Sequence, residues 1–170
     1  MKKPEISAVP DFYQNYIRSI PDEELVQLLR NIQEAYNHLG RLSNEEAEYR
    51  YADGKWSIKE LTGHLIDTER IFCSRALRFS RSDNTELPGF DQDLFVENSH
   101  ANNRDWGSIL NEYDAVRSST IYLFESFTED QLNLTGNANS YEFSVSTLGY
   151  IIAGHQKHHL NIIQERYLSK

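Results

Sequence analysis

The chain has 170 residues, enough for one domain that buries roughly two-thirds of its unfolded surface, and we expect a single domain over 1–170. Its 17 Lys+Arg against 26 Asp+Glu give a formal net charge of -9, which lacks the basic face that counterion release requires and argues against nucleic acid as a partner. One cysteine, Cys73, excludes an internal disulfide, "MKKPEISAVP" has no apolar stretch behind its lysines, and no run reaches the ~18 apolar residues of a membrane helix, so a cytoplasmic protein without membrane contact is expected.

Helical periodicity dominates. Pro21 followed by "DEE" reads as a helix start, and Leu25, Leu28, Leu29, Ile32, Tyr36 and Leu39 then keep a 3.6-residue period up to Gly40. Residues 41–56 read as a loop ending at "ADGKW". Ser57 with Glu60 forms a capping box for a second helix, which carries Ile58, Leu61, Leu65, Phe72, Ala76 and Phe79 on one face and ends near "SRSDN". Residues 81–104 are too long for a simple bundle turn, and connections of that length are crossover or functional segments. A third helix follows with Ile109, Tyr113, Val116, Thr120, Phe124 and Phe127 in register. "TEDQL" reads as one short extra turn and "TGNANSYEF" as a turn-rich loop. The fourth helix starts near Ser144–Thr147 and runs to about Leu168, weakened locally by Gly149 and Gly154. Strand signals are sparse. Four long helices and one long connection predict an all-α four-helix bundle with a crossover between helices 2 and 3.

Three of the six histidines fall within "GHQKHHL". Each helical residue advances about 100°, so His159 lies about 40° from His155, inside the stripe of Leu148, Ile151, Ile152 and Ile162, while His158 lies about 60° away at its edge. Two histidines at i and i+4 on one face can bind one divalent ion. The competing reading is a pair of core histidines hydrogen-bonded to neighbours. A third ligand would come from a facing helix, where His64 in "ELTGHLID" flanks the stripe of Leu61, Thr68 and Phe72.

Other constellations are weaker. There is no HExxH; the Glu-x-x-His spacing of a di-iron bundle occurs at Glu97–His100, in the connection; no Gly-x-Ser-x-Gly elbow exists. Cys73 points away from His64 and reads as a small structural residue.

"KWSIKELTGHLIDTER", "LPGFDQD" and "IIAGHQKHHLNIIQERYL", in that order, resemble the DinB-like superfamily of metal-dependent hydrolases, also called DinB/YfiT. The resemblance runs from about residue 22 to the end. It implies an up-down-down-up bundle and a three-histidine metal site at His64, His155 and His159, with His158 adjacent but not binding. It also implies one divalent metal ion (nickel, zinc or manganese), a small-molecule substrate, and in some members a low-molecular-weight thiol of the bacillithiol or mycothiol type. Members of the family often form homodimers.

Three neutral imidazoles leave open positions on an ion, the pattern of a catalytic site. The expected activity is a metal-dependent hydrolase or thiol S-transferase acting on a small electrophile; the alternative is a non-catalytic metal- or small-ligand-binding stress-response bundle. Asp67, Glu69 and Asp91 are the candidates for acid/base or orienting work. Asp67 and Glu69 compete with a reading as solvated carboxylates, and Asp91 with a cap on the short helix "QDLFVEN". Arg75 and Arg117 can bind an anionic ligand, though helix-surface ion pairs are the expected role.

Overall fold

A computed structural model describes residues 2–169. Four helices build the bundle: α2 (Leu25–Asn37), α4 (Ile58–Ser80), α6 (Trp106–Glu125) and α8 (Val145–Ile162). Short elements fill the connections: α1 (Asp11–Arg18), α3 (Asn44–Glu48), α5 (Gln92–Ser99), α7 (Glu129–Asn133), and the hairpin β1 (Thr135–Ala138) and β2 (Tyr141–Ser144).

Side-chain contacts fix the helix directions. Trp106 at the start of α6 donates its indole N–H to the Leu39 carbonyl just past α2, at 3.0 Å, so these two helices are antiparallel neighbours. Lys59 at the start of α4 donates to the Arg104 carbonyl just before α6 at 2.7 Å, and further along both helices Cys73 meets Thr120 at 3.2 Å, so these two run parallel. His64, early in α4, meets His155, late in α8, so these two are antiparallel. The result is the up-down-down-up bundle. The segment between α4 and α6 must return the chain to the starting end, which explains its length.

The caps follow the sequence. Ser57 and Glu60 form the reciprocal box that starts α4, and Thr128 with Gln131 does the same for α7. Other expectations need correction. Pro21 does not open a helix: Glu24 caps α2 by accepting from the Gln27 N–H, and the helix begins at Leu25. The 41–56 loop contains α3, opened by a Ser43–Glu46 capping box. "TGNANSYEF" is a hairpin whose two turn residues, Asn139 and Ser140, both have positive φ, 51° and 64°, as a two-residue turn matched to strand twist requires. A Cβ on Gly136 would lie 2.6 Å from the Phe79 ring carbon Cγ, so glycine lets β1 press against the end of α4. The crossover docks on this hairpin through Leu87, whose N–H and C=O bond the Asn137 carbonyl and the Asn139 N–H at 2.9 Å each.

The core has two apolar halves. One gathers Leu25, Leu29, Phe72, Phe79, Phe124 and Ile151. The other gathers Tyr36, Ile58, Leu65, Trp106, Ile109, Leu160 and Ile163. Between them lies a buried polar layer. Arg117 is fully buried and forks onto Glu69 with two 2.9 Å bonds, while its third arm donates to the Leu29 carbonyl at 3.1 Å. Gln156 donates to Glu69 and accepts from Tyr113 Oη at 2.9 Å. The layer ties α2, α4, α6 and α8 together in one register. Arg117 is therefore not the surface ion pair expected from sequence, and Glu69 is not a solvated carboxylate.

Candidate metal centre

His64 stands two turns into α4, and His155 and His159 stand one turn apart on α8. The antiparallel packing of these helices brings the three rings together. His155 Nε2 lies 3.1 Å from His64 Nε2 and 3.0 Å from His159 Nε2. One ligand nitrogen from each lies within 4.8 Å of both others. His64 and His155 are buried and His159 is half-buried. His158 is exposed and packs against Tyr16, with ring centres 5.4 Å apart, outside the cluster.

Gly154 makes this arrangement possible. A Cβ there would fall 2.6 Å from the Tyr16 carbonyl carbon, so glycine allows α1 to close onto α8. That closure sets the Tyr16 ring edge-on to His155 at 5.2 Å. Trp56, immediately before the Ser57 cap, covers His64 from the other side at 4.9 Å.

Burial holds the imidazoles neutral. It lowers His64 from 6.5 to about 4, and burial, with the His64 and His158 charges adding to it, lowers His159 to about 3. His155 falls well below 6.5, chiefly through burial and then through His159, His64 and His158. Neutral imidazole is the form that binds a metal. The spacing fits as well: two nitrogens on one tetrahedral zinc, at 2.0–2.1 Å bonds, sit about 3.3 Å apart. Three ring nitrogens aimed at one point also cannot be satisfied by one another, since one N–H of His155 reaches only one neighbour. Thr68 Oγ1 lies 3.5 Å from His64 Nδ1, placed to hold that ring's tautomer. His159 Nδ1 is buried with no hydrogen-bond partner among the described residues.

Two cavities border the cluster. One, of about 190 Å³, reaches His64 and His155 and is walled by Tyr13, Tyr16, Phe72 and Phe90, with Arg75 also in its lining. The other, of about 240 Å³, reaches His159 past Trp56, Lys55 and Asp93. The carboxylates singled out from sequence line neither. Asp91 Oδ1 accepts from the Asp93 and Leu94 N–H groups at 3.0 and 3.1 Å and caps α5. Asp67 is half-exposed, 3.9 Å from Arg70, beside a separate surface hollow under α5. Glu69 is held in the core by Arg117. Cys73 is half-buried against the Thr120 hydroxyl at 3.2 Å, which agrees with a structural role. Tyr13, Tyr16, Trp56 and Asp93, which do border the cavities, have no signal in the sequence beyond being aromatic or acidic, because α1 and α5 are too short for their faces to be read and Trp56 precedes the α4 cap, outside any helix.

The family model of the DinB superfamily matches residues 27–163. The chain belongs to the DinB superfamily. It is 26% identical over 143 residues to an Oceanobacillus iheyensis protein named "Putative metal-dependent hydrolase", an overlap covering 81% of this chain and 82% of that one. Its fold matches YfiT from Bacillus subtilis, described as "a probable metal-dependent hydrolase with an unusual four-helix bundle topology", with a TM-score of 0.74, 16% identity, and coverage of 86% of this chain and 90% of YfiT. It also matches a mycothiol-dependent maleylpyruvate isomerase, with a TM-score of 0.69, 14% identity, and coverage of 85% of this chain and 61% of that one. At these identities the structural matches speak for the fold of this DinB-superfamily chain. No helix among the described residues is long and apolar enough to cross a membrane.

Proposed function

We propose that this chain is a divalent-metal-dependent enzyme acting on a small electrophile, with His64, His155 and His159 as the protein's metal ligands. The observation that carries the reading is the convergence of three neutral imidazoles, two buried and one half-buried, between two cavities. A sealed structural site would use four protein ligands. Here three histidines converge and cavities open beside them.

A nickel, zinc or manganese ion held there supplies Lewis acidity, enough to deprotonate water or a small thiol near neutral pH. The chain's own residues do the rest. Tyr13, Tyr16, Phe72 and Phe90 shape an apolar wall that selects and orients a substrate and keeps bulk water from the reacting atoms. Trp56 and Tyr16 fix the imidazole rings, and Thr68 holds the His64 tautomer. Asp93 and Lys55 are the charged groups that line the second cavity with His159 and are the residues to move a proton on that side. The relatives' names support a hydrolase, and the isomerase neighbour supports thiol chemistry as the variant to test beside it.

The test is turnover by protein loaded separately with zinc, nickel or manganese. p-Nitrophenyl esters report hydrolysis, and 1-chloro-2,4-dinitrobenzene with a low-molecular-weight thiol reports transfer. Activity that needs the ion and disappears in His155→Ala supports the reading. Ion binding without turnover of either kind would instead support the non-catalytic binding bundle.

A further inference from the structure

The aromatic cavity beside His64 and His155 contains one charge that the fold does not neutralise. Arg75 on α4 is 3% exposed, yet among the described residues no carboxylate pairs with it. One Nη2 N–H donates to the Pro88 carbonyl at 2.8 Å, and the guanidinium lies over the Phe72 ring at 5.4 Å. A guanidinium carries five N–H donors. The donors not used by Pro88 are left for the cavity that Arg75 lines. Bonding one carbonyl does not require a cation, and burying a cation without a counter-charge is costly. Arg117, the other buried arginine of the bundle, shows the usual solution: it is forked onto Glu69.

We infer that Arg75 receives the carboxylate of an anionic substrate or co-substrate that lies along the aromatic wall with its other end at His64 and His155. This rests on the reading of the histidine cluster as the reacting centre, and it adds the class of molecule that the cavity takes. The guanidinium sits at the level of Phe72, eight residues along α4 from His64. At 1.5 Å per residue that is about 12 Å of helix, so the carboxylate and the reacting atom are on the order of 10 Å apart. An aryl or alkyl middle section suits the rings of Tyr13, Tyr16, Phe72 and Phe90, and a planar carboxylate suits the two-pronged geometry of arginine.

The probe is 4-phenylbutyrate, with 4-phenylbutyramide as its uncharged isostere, titrated by calorimetry into chelator-treated, metal-free protein. Without metal, a carboxylate that binds does so through the cavity and not through an ion. Wild type is expected to bind the acid saturably, roughly ten- to a hundredfold more tightly than the amide. Arg75→Gln should remove that preference, and Arg75→Lys should keep part of it. His159→Ala, at a ligand that lies outside this cavity, should retain acid binding while losing metal, which separates this inference from the metal assignment. Equal affinity for acid and amide, absence of saturable acid binding, or an unchanged preference in Arg75→Gln would each overturn it. Should Arg75→Gln fail to give the wild-type circular dichroism spectrum, the acid–amide comparison in wild type and the Arg75→Lys result decide the matter.

Discussion

Replacing Arg117 by methionine distinguishes a core-organising ion pair from a decorative one. The substitution removes two 2.9 Å bonds to Glu69 and one 3.1 Å bond to the Leu29 carbonyl, and leaves a carboxylate that is 2% exposed with Gln156 as its remaining donor. Breaking one side of a buried pair costs about 3–5 kcal/mol. An exposed pair would cost under about 1 kcal/mol. Against a total stability of roughly 5–15 kcal/mol, the expected loss is easily seen. With a urea slope of about 2 kcal/mol per molar, the midpoint should fall by roughly 2 M. The assay is urea unfolding at pH 7 followed by far-ultraviolet circular dichroism, for wild type, Arg117→Met, Glu69→Gln and the double variant. In the double variant both charges are gone and the amide that replaces the Glu69 carboxylate can still accept from Gln156. It should therefore lose roughly 2–3 kcal/mol less than the sum of the single losses. A loss within about 1 kcal/mol for Arg117→Met, or strict additivity, would refute the claim that this layer sets the register of the four helices.

Acid should destabilise the metal-free protein through the same histidines. His64 has a folded value of about 4 against 6.5 when unfolded, so the unfolded chain takes the proton first and stability falls as pH drops from 6.5 towards 4. The slope from His64 alone is about 1.4 kcal/mol per pH unit, and His159 and His155 act with the same sign. Urea midpoints at pH 7 and pH 5 for wild type and His64→Gln measure it; an equal acid loss in both would count against a buried neutral His64. Gly154→Ala forces a Cβ against the Tyr16 backbone and should cost about 1–3 kcal/mol despite its better helix propensity. Gly63→Ala meets only Ala101 Cβ at an ordinary 3.6 Å and should gain up to about 1 kcal/mol, so thermal melts of the two variants should move in opposite directions.

Much of the bundle was legible because its helices are long and capped. Ser57 and Glu60 announce α4, and the angular positions of His155 and His159 place both on the buried face of α8. What could not be read has physical causes. The segment Asp11–Arg18 is eight residues between two prolines, too short for a period to show, yet it supplies Tyr16 and the wall of the cavity. The hairpin turn uses Asn139–Ser140 in place of a glycine pair, so it carries no strong turn signature. Glu69, Arg75 and Arg117 were misplaced because a single apolar stripe implies that charges off the stripe face water. α4, which carries Glu69 and Arg75, packs against α5, α6 and α8 together, and α6, which carries Arg117, packs against both α2 and α4. Lys59 shows the same effect: it is 1% exposed, with its ammonium 2.8 Å from Glu48 Oε1 and 2.7 Å from the Arg104 carbonyl.

The central claim is that three imidazoles hold one ion. The measurement that bears on it most directly is the metal content of untagged protein by inductively coupled plasma mass spectrometry after zinc, nickel or manganese loading, beside His64→Ala, His155→Ala, His159→Ala and His158→Ala. The account predicts about one divalent ion per chain in wild type and in His158→Ala, and loss of it in each of the other three variants. Wild-type protein that takes up no ion, or variants of His64, His155 and His159 that keep it, would contradict the account.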